Sequence, residues 1–278
     1  MTITPGSQPY AGKQARPIAR EFKTATTSSA IKDAHLRAAR SPQAGISPER
    51  REKSFGVSVL LDDGSITDFD HRAPADLFLE DICANVARGT VISTKNGGIA
   101  VEDLRPGDRI KTRDDGYKKL RWIGSCTLNN TAGEGGDADN PLRIRADALG
   151  PLRPVQDLLV SPRFRILTNH PSCAALFGSS ETLAPAVDLL DGDTIMRVHP
   201  AQGLTFYNLM FDRHQIIEAN GLETESYHPG NFGVAVMSLE MQAHLRQLLP
   251  HLNGNLDAFG RTVRPVLKGF EAEVLRIT

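Results

Sequence analysis

The chain has 278 residues, 40% of them hydrophobic, with 32 Lys and Arg balanced by 33 Asp and Glu. That is enough apolar material for one sizeable core, and length alone leaves open whether it forms one unit or two. No apolar run of about 18 residues occurs, so no membrane span is expected, and no apolar stretch follows the first charges as a cleaved secretory signal would require.

Three cysteines, Cys83, Cys126 and Cys173, are an odd number and none forms a C-x-x-C pair. This argues against a disulfide framework and against a cysteine zinc site. A reducing, cytoplasmic setting is the simpler expectation, with export by a route that needs no signal peptide left open. The charge is unevenly spread. Residues 1–53 hold 10 Lys and Arg against 4 Asp and Glu, which leaves 22 against 29 for the rest. A mildly basic tail on an acidic body, with aromatics at 6% and no basic stretch interleaved with them, fits neither a duplex reader nor a single-strand stacking platform. No nucleic-acid partner is expected.

In chain order, residues 1–53 are rich in Pro, Ser, Thr, Gln, Ala and Gly and poor in large apolar side chains. Burial there cannot offset ordering entropy, so a disordered basic tail is expected. Within it Ser29 could cap a brief helix through Ile31, Ala34, His35 and Ala38. The tail's composition also describes a transit peptide, and a basic linker is the simpler reading.

An ordered domain is expected over 54–278. Val57, Val59 and Leu61 alternate, Asp63-Gly64 supplies a turn, and Ile66 and Phe69 follow. The same signature recurs at Thr90–Thr94 with Asn96-Gly97, at Asp108–Thr112 and Tyr117–Ile123 around Asp115-Gly116, and at Gln215–Ala219 and Leu222–Tyr227 around Asn220-Gly221. Asn-Gly and Asp-Gly suit tight hairpins because they tolerate positive φ. Repeated short strands with this punctuation predict a mainly all-β domain. Residues 130–140 read as a loop; their acids lack the spacing of a calcium site. One helix is predicted outside the tail, capped by Ser238, carrying Leu239, Leu245, Leu248 and Leu249, and ended by Pro250. Val263–Leu267 and Val274–Ile277 are strand-like.

An internal repeat is the most informative feature. Asp103–Ile110 and Asp188–Ile195 both read D-L-x-x-G-D-x-I, 85 residues apart. Each places a glycine in a turn just before a new strand. Strand-like Val91–Thr94 and Arg165–Thr168 precede the two copies. A β domain with two related halves follows from this.

Several blocks resemble the bacterial Hint (hedgehog/intein) domains: GTVIST through RWIG at Gly89–Gly124, PLRIRADALGPLRPVQDLLVSPRFRIL at Pro141–Leu167, LAPAVDLLDGDTI at Leu183–Ile195, and FYNLMFDRHQIIEANGLETESYHPG at Phe206–Gly230. The likeness spans a core of about 85–232, followed by a helix and strands over 233–278. It implies a β horseshoe of two pseudo-symmetric halves. It also implies autoprocessing chemistry, in which a leading Cys or Ser attacks the preceding carbonyl. A His serves the leaving amine and polar groups hold the oxyanion.

This chain departs from that pattern at two central positions. Four residues before Gly89, where the family's nucleophile lies, stands Asn85; where the middle-block His lies in Ser-Pro-x-His-Arg, stands Phe164. Ala87-Arg88-Gly89-Thr90 resembles a branch that opens this way without the leading cysteine. The expectation is a degenerate Hint module without self-cleavage, not an enzyme, that serves as a structural unit or binds an unidentified protein or peptide.

The alternative is an active self-cleaving domain with Cys83 as nucleophile and His170 or His214 as proton carrier. A small buried thiol is the plainer account of Cys83, and a turn at Asn169-His170-Pro171 that of His170. His214 and Asp212 match the family in place. They are the candidates for a surviving site or, equally, for an Asp–His bond between strands. Thr90 and Ser93 fit sheet packing, and His228 could pack over a strand end. No Gly-rich phosphate loop, H-E-x-x-H or G-x-S-x-G occurs, so no cofactor and no metal are expected.

Overall fold

A computed structural model describes residues 51–129, 137–230, 237–256 and 259–272. The tail expected over 1–53, the candidate helix after Ser29, most of the 130–140 loop and the strand expected at Val274–Ile277 lie outside the described residues, apart from a first strand that already begins at Glu52.

The chain opens on a long hairpin, β1 (Glu52–Leu60) and β2 (Ile66–Pro74), then α1 (Leu77–Cys83). The short strands that follow are β3 (Val86–Ala87), β4 (Val91–Thr94), β5 (Gly97–Ala100), β6 (Arg109–Thr112), β7 (Gly116–Lys119), β8 (Trp122–Leu128), β9 (Leu142–Ile144), β10 (Leu158–Val160) and β11 (Arg165–Asn169). Helix α2 (Pro171–Phe177) precedes β12 (Glu181–Pro185), β13 (Ile195–Arg197), β14 (Leu204–Met210), β15 (Ile216–Ala219) and β16 (Leu222–Glu225), and α3 spans Leu239–Leu248.

The strands form two sheets. The first runs β13-β9-β10-β3-β14-β8-β1-β2, the second β12-β11-β16-β15-β4-β6-β7 with β5 against β4. Pairing between the strands is antiparallel, as hairpin punctuation predicts. The initial hairpin is an integral part of the first sheet: Phe55 lies opposite Cys126 and Val59 opposite Trp122.

The repeat has a structural counterpart. Both copies run from a strand through a single 3-10 turn (Val101–Asp103, Ala186–Leu189) to a positive-φ glycine and a new strand. Gly107 has φ 102° and Gly192 φ 78°, which side chains rarely adopt. The turns are closed differently. Asp108 Oδ2 accepts from the Arg105 amide at 2.8 Å. In the second copy Asp191 Oδ1 accepts from the amides of Asp193, Thr194 and Ile195.

Three sequence expectations are corrected. Tyr117–Ile123 is two strands, because Leu120 and Arg121 break the run: the Leu120 amide turns back to Asp108 and that of Arg121 to Met210. Val263–Leu267 is no regular strand and makes one isolated bridge, Val266 to Leu183. Besides α3, capped by Ser238 as predicted, the described residues hold two more helices, α1 and α2. At seven residues each is too short to show a helical stripe, and each is held by its cap: Asp76 for α1, and His170 with Pro171 and left-handed Gly178 for α2.

Among the described residues the apolar side chains form two large cores and a small third cluster at Leu167, Leu183 and Ile216. One large core gathers Phe55, Leu79, Cys83, Trp122, Phe206 and Leu248; the other Ile92, Ile110, Leu142, Ile144, Phe164 and Phe211. Ala84 belongs to the first and Val86 to the second, so Asn85 lies at the seam.

Candidate functional site

A pocket of about 130 Å³ opens at that seam, lined by Asp81, Asn85, Ser161, Arg165, Glu225 and His228 among others. Backbone bonds fix Asn85 on both sides: its amide donates to Tyr207 O at 3.1 Å and its carbonyl accepts from Ser161 at 2.8 Å. Its side-chain amide donates to Glu225 O at 3.4 Å.

Glu225 is the charged centre. Arg165 Nη1 donates to its Oε2 at 3.1 Å, and His214 Nε2 lies 3.2 Å from the same oxygen. His214 is fully buried, and its Nδ1 accepts from the Val263 amide at 3.1 Å. Its Nε2 has no well-aligned hydrogen bond despite the nearby carboxylate. His228 packs edge-on against it at 5.1 Å. The Gly230 amide donates to His228 Nδ1 at 2.8 Å and Nε2 donates to Gly260 O at 3.0 Å. Burial, with His214 beside it, lowers the His228 pKa, so the neutral ring is favoured. Opposite, Asp81 forms an ion pair with Arg163, yet burial raises its carboxyl to about 7. Tyr227, 8% exposed, has a buried hydroxyl with no partner among the described residues.

The expected site residues scatter. Only His214 joins this cluster. Cys83 ends α1 with its side chain fully buried, 3.0 Å from where a Cβ on Gly124 would stand. Burial, then neighbouring Cys126, pushes its thiol well up, away from the thiolate that attack requires. His170 caps α2, accepting from the Ser172 amide at 3.2 Å, and stands past the far end of β11 from Arg165, roughly 16 Å of extended chain away. Asp212 is largely exposed and faces Arg121 at 3.0 Å. The Asp–His bond expected at 212 and 214 is therefore replaced by a Glu225–His214 contact. Phe164 is 1% exposed within the second core. Thr90 is buried with its hydroxyl on Ala87 O, and Ser93 bonds Glu218.

Asp81, Arg163 and Glu225 were not among the sequence candidates. Asp81 sits on a helix without a periodic signal. Glu225 left a trace, as an acid inside the β-branched and apolar run Leu222–Tyr227.

The model of the Hint domain family matches residues 84–231. Among solved structures, a chain described as an AceL NrdHF class 3 split intein, in a GSH-linked, splice-inactive variant, is similar at 13% identity. That match covers 51% of this chain and 97% of that one, with a TM-score of 0.35. No curated protein matches the chain.

Proposed function

The chain belongs to the Hint domain family, and on that premise we propose that it is a degenerate Hint module that does not cleave itself and serves as a structural or peptide-binding unit. The observation that carries this is the fate of the chain upstream of Asn85. Self-cleavage there would release everything before the pocket. Here that upstream chain is built into the fold: β1 pairs with β8 from Phe55 to Val59, and Phe55, Leu79 and Ile82 are fully buried. Expelling it would strip about 25 cal/mol of stabilisation for each Å² of apolar surface it covers.

The side chains agree with this. Asn85 offers no nucleophile competent for acyl transfer, Phe164 has no proton to give, and Cys83 is a core thiol. What the pocket offers is recognition chemistry, with donors at Asn85, Arg163 and Arg165 and acceptors at Asp81 and Glu225. That lining suits the backbone of an extended peptide.

The test is the intact mass of the full chain after long incubation, alone and with a strong thiol or hydroxylamine. We expect the full-length mass in every condition. A fragment ending at Ile82 that disappears in Cys83→Ala would overturn the proposal and establish Cys83 as a nucleophile.

A further inference from the structure

His214 and His228 face a segment from the other end of the described chain. Phe259 packs edge-on against the His228 ring at 5.2 Å, and Gly260 O accepts its Nε2–H. The Val263 amide donates to His214 Nδ1. Arg264 then reaches Glu181 and Asp114, each at 2.7 Å. Beyond it Leu183, on the edge strand β12, donates to Pro265 O at 2.8 Å and accepts from the Leu267 amide at 2.9 Å. Val266 packs against Leu167, Leu183 and Ile216. An irregular stretch is thus laid along a sheet edge and over both imidazoles. It borrows its hydrogen bonds from side chains and makes one parallel bridge where a ladder would make many.

We propose that Phe259–Leu267 is a built-in strap over the His214–His228 face, closed while His214 accepts from the Val263 amide and released when that nitrogen takes up a proton. The hydrogen bonds set the direction. Each Nδ1 accepts from a backbone N–H, that of Val263 or of Gly230. A second proton would bring N–H against N–H, and the strap's donor at Val263 would lose its acceptor.

The surrounding charges are Glu225 and Arg165 beside both rings, and Arg163 with Asp81 at the pocket rim. Arg264 on the strap is engaged by Glu181 and Asp114. Glu225 lies against one nitrogen of His214 and the Val263 amide against the other, so the carboxylate and the strap meet on one ring. The lowered His228 pKa agrees with a neutral ring at that position. A ring held neutral on folding adds stability that is present above the free imidazole value of about 6.5 and lost as pH falls below it. Release would uncover His228 and the β12 edge together. This goes beyond the loss of self-cleavage, since it says what fills the face and what empties it.

Hydrogen exchange on the full chain tests it, with protection factors over 259–272 compared at pH 7.5 and 5.0 and β8 as the internal reference. We expect protection at Val263 and Leu267 to fall at least tenfold at pH 5.0 while β8 holds. In His214→Gln, whose carbonyl accepts from Val263 without titrating, that fall should shrink. Since His214 is buried, Val263→Pro supplies a second arm on the strap itself; it removes the donor and should lower Leu267 protection already at pH 7.5. Protection over 259–272 that stays within twofold between the two pH values, or falls in step with β8, overturns the strap, as does unchanged Leu267 protection in Val263→Pro. None of these readings depends on the intact mass, so the strap can fail while the non-cleaving module stands.

Discussion

The two large apolar cores differ in origin. The second, around Phe164, Ile92 and Leu142, is drawn wholly from within 84–231 and is almost entirely aliphatic and aromatic. The first takes more than half its residues from outside that span, from β1, β2, α1, α3 and the chain after α3, and it carries polar atoms. Trp122 Nε1 donates to Leu248 O at 2.7 Å, and Cys83, Cys126 and Tyr227 all contribute. The family body supplies one core, and a collar from both flanks closes a second against the back of the first sheet. Asn85 stands where the two meet.

The sharpest way to break this comparison is through Phe164. Phe164→Ala should cost about 3–5 kcal/mol, because a fully buried ring leaves a cavity the aliphatic core cannot close. Chemical denaturation reads it, and a loss under 1 kcal/mol would mean that the second core is loosely packed.

Next comes Asp81 on the collar side. Its folded pKa of about 7 stands above the ordinary 3.8. The proton it holds contributes stability that is complete below about pH 4 and lost as pH rises through 7. Asp81→Asn should abolish a decline of roughly 2–4 kcal/mol between pH 4 and 8. Parallel curves for the two proteins would show that Arg163 alone settles the charge.

Trp122→Phe should cost about 1–2 kcal/mol, through a shrunken ring and a Leu248 carbonyl left without its donor. Thermal melting should show the loss, and hydrogen exchange should place it in the first core and spare Ile144 and Ile166.

The smallest effect is chemical. Burial raises the Cys83 thiol well above its usual value and Cys126 to about 12. Alkylation of either in the native chain should be at least 100-fold slower than in denaturant, by mass spectrometry. Fast native labelling of Cys83 would show that the collar opens.

Much of this was legible in the sequence, and the residues show why. Turn chemistry is local: Asn220-Gly221 and Asp115-Gly116 declare hairpins within four residues, and the repeated D-L-x-x-G-D-x-I octet marks two equivalent turns. The substitutions Asn85 and Phe164 are local too, once the neighbouring motifs set the frame. The pairing of His214 was not. Its neighbour in sequence, Asp212, turns outward to Arg121, and its partner is Glu225 across the β15–β16 hairpin. The buried thiol favoured at Cys83 was legible, but the partners that bury it in the first core were not. The strap is further still from local rules, because Val263 meets His214 across 49 positions and with a backbone donor that any residue could supply.

Gly124 has one more consequence. A methyl group there would lie 2.2 Å from the Trp122 ring, which folds back over it along the same face of β8. The indole and the bare backbone act as a key and its slot. The first sheet is long, and antiparallel strands can slide. A slip of two residues along β8 would preserve the inward and outward alternation, but it would carry this paired shape away from the collar that covers it. Alternation checks only whether a strand is turned the right way. Trp122 over Gly124 checks that it has stopped at the right place.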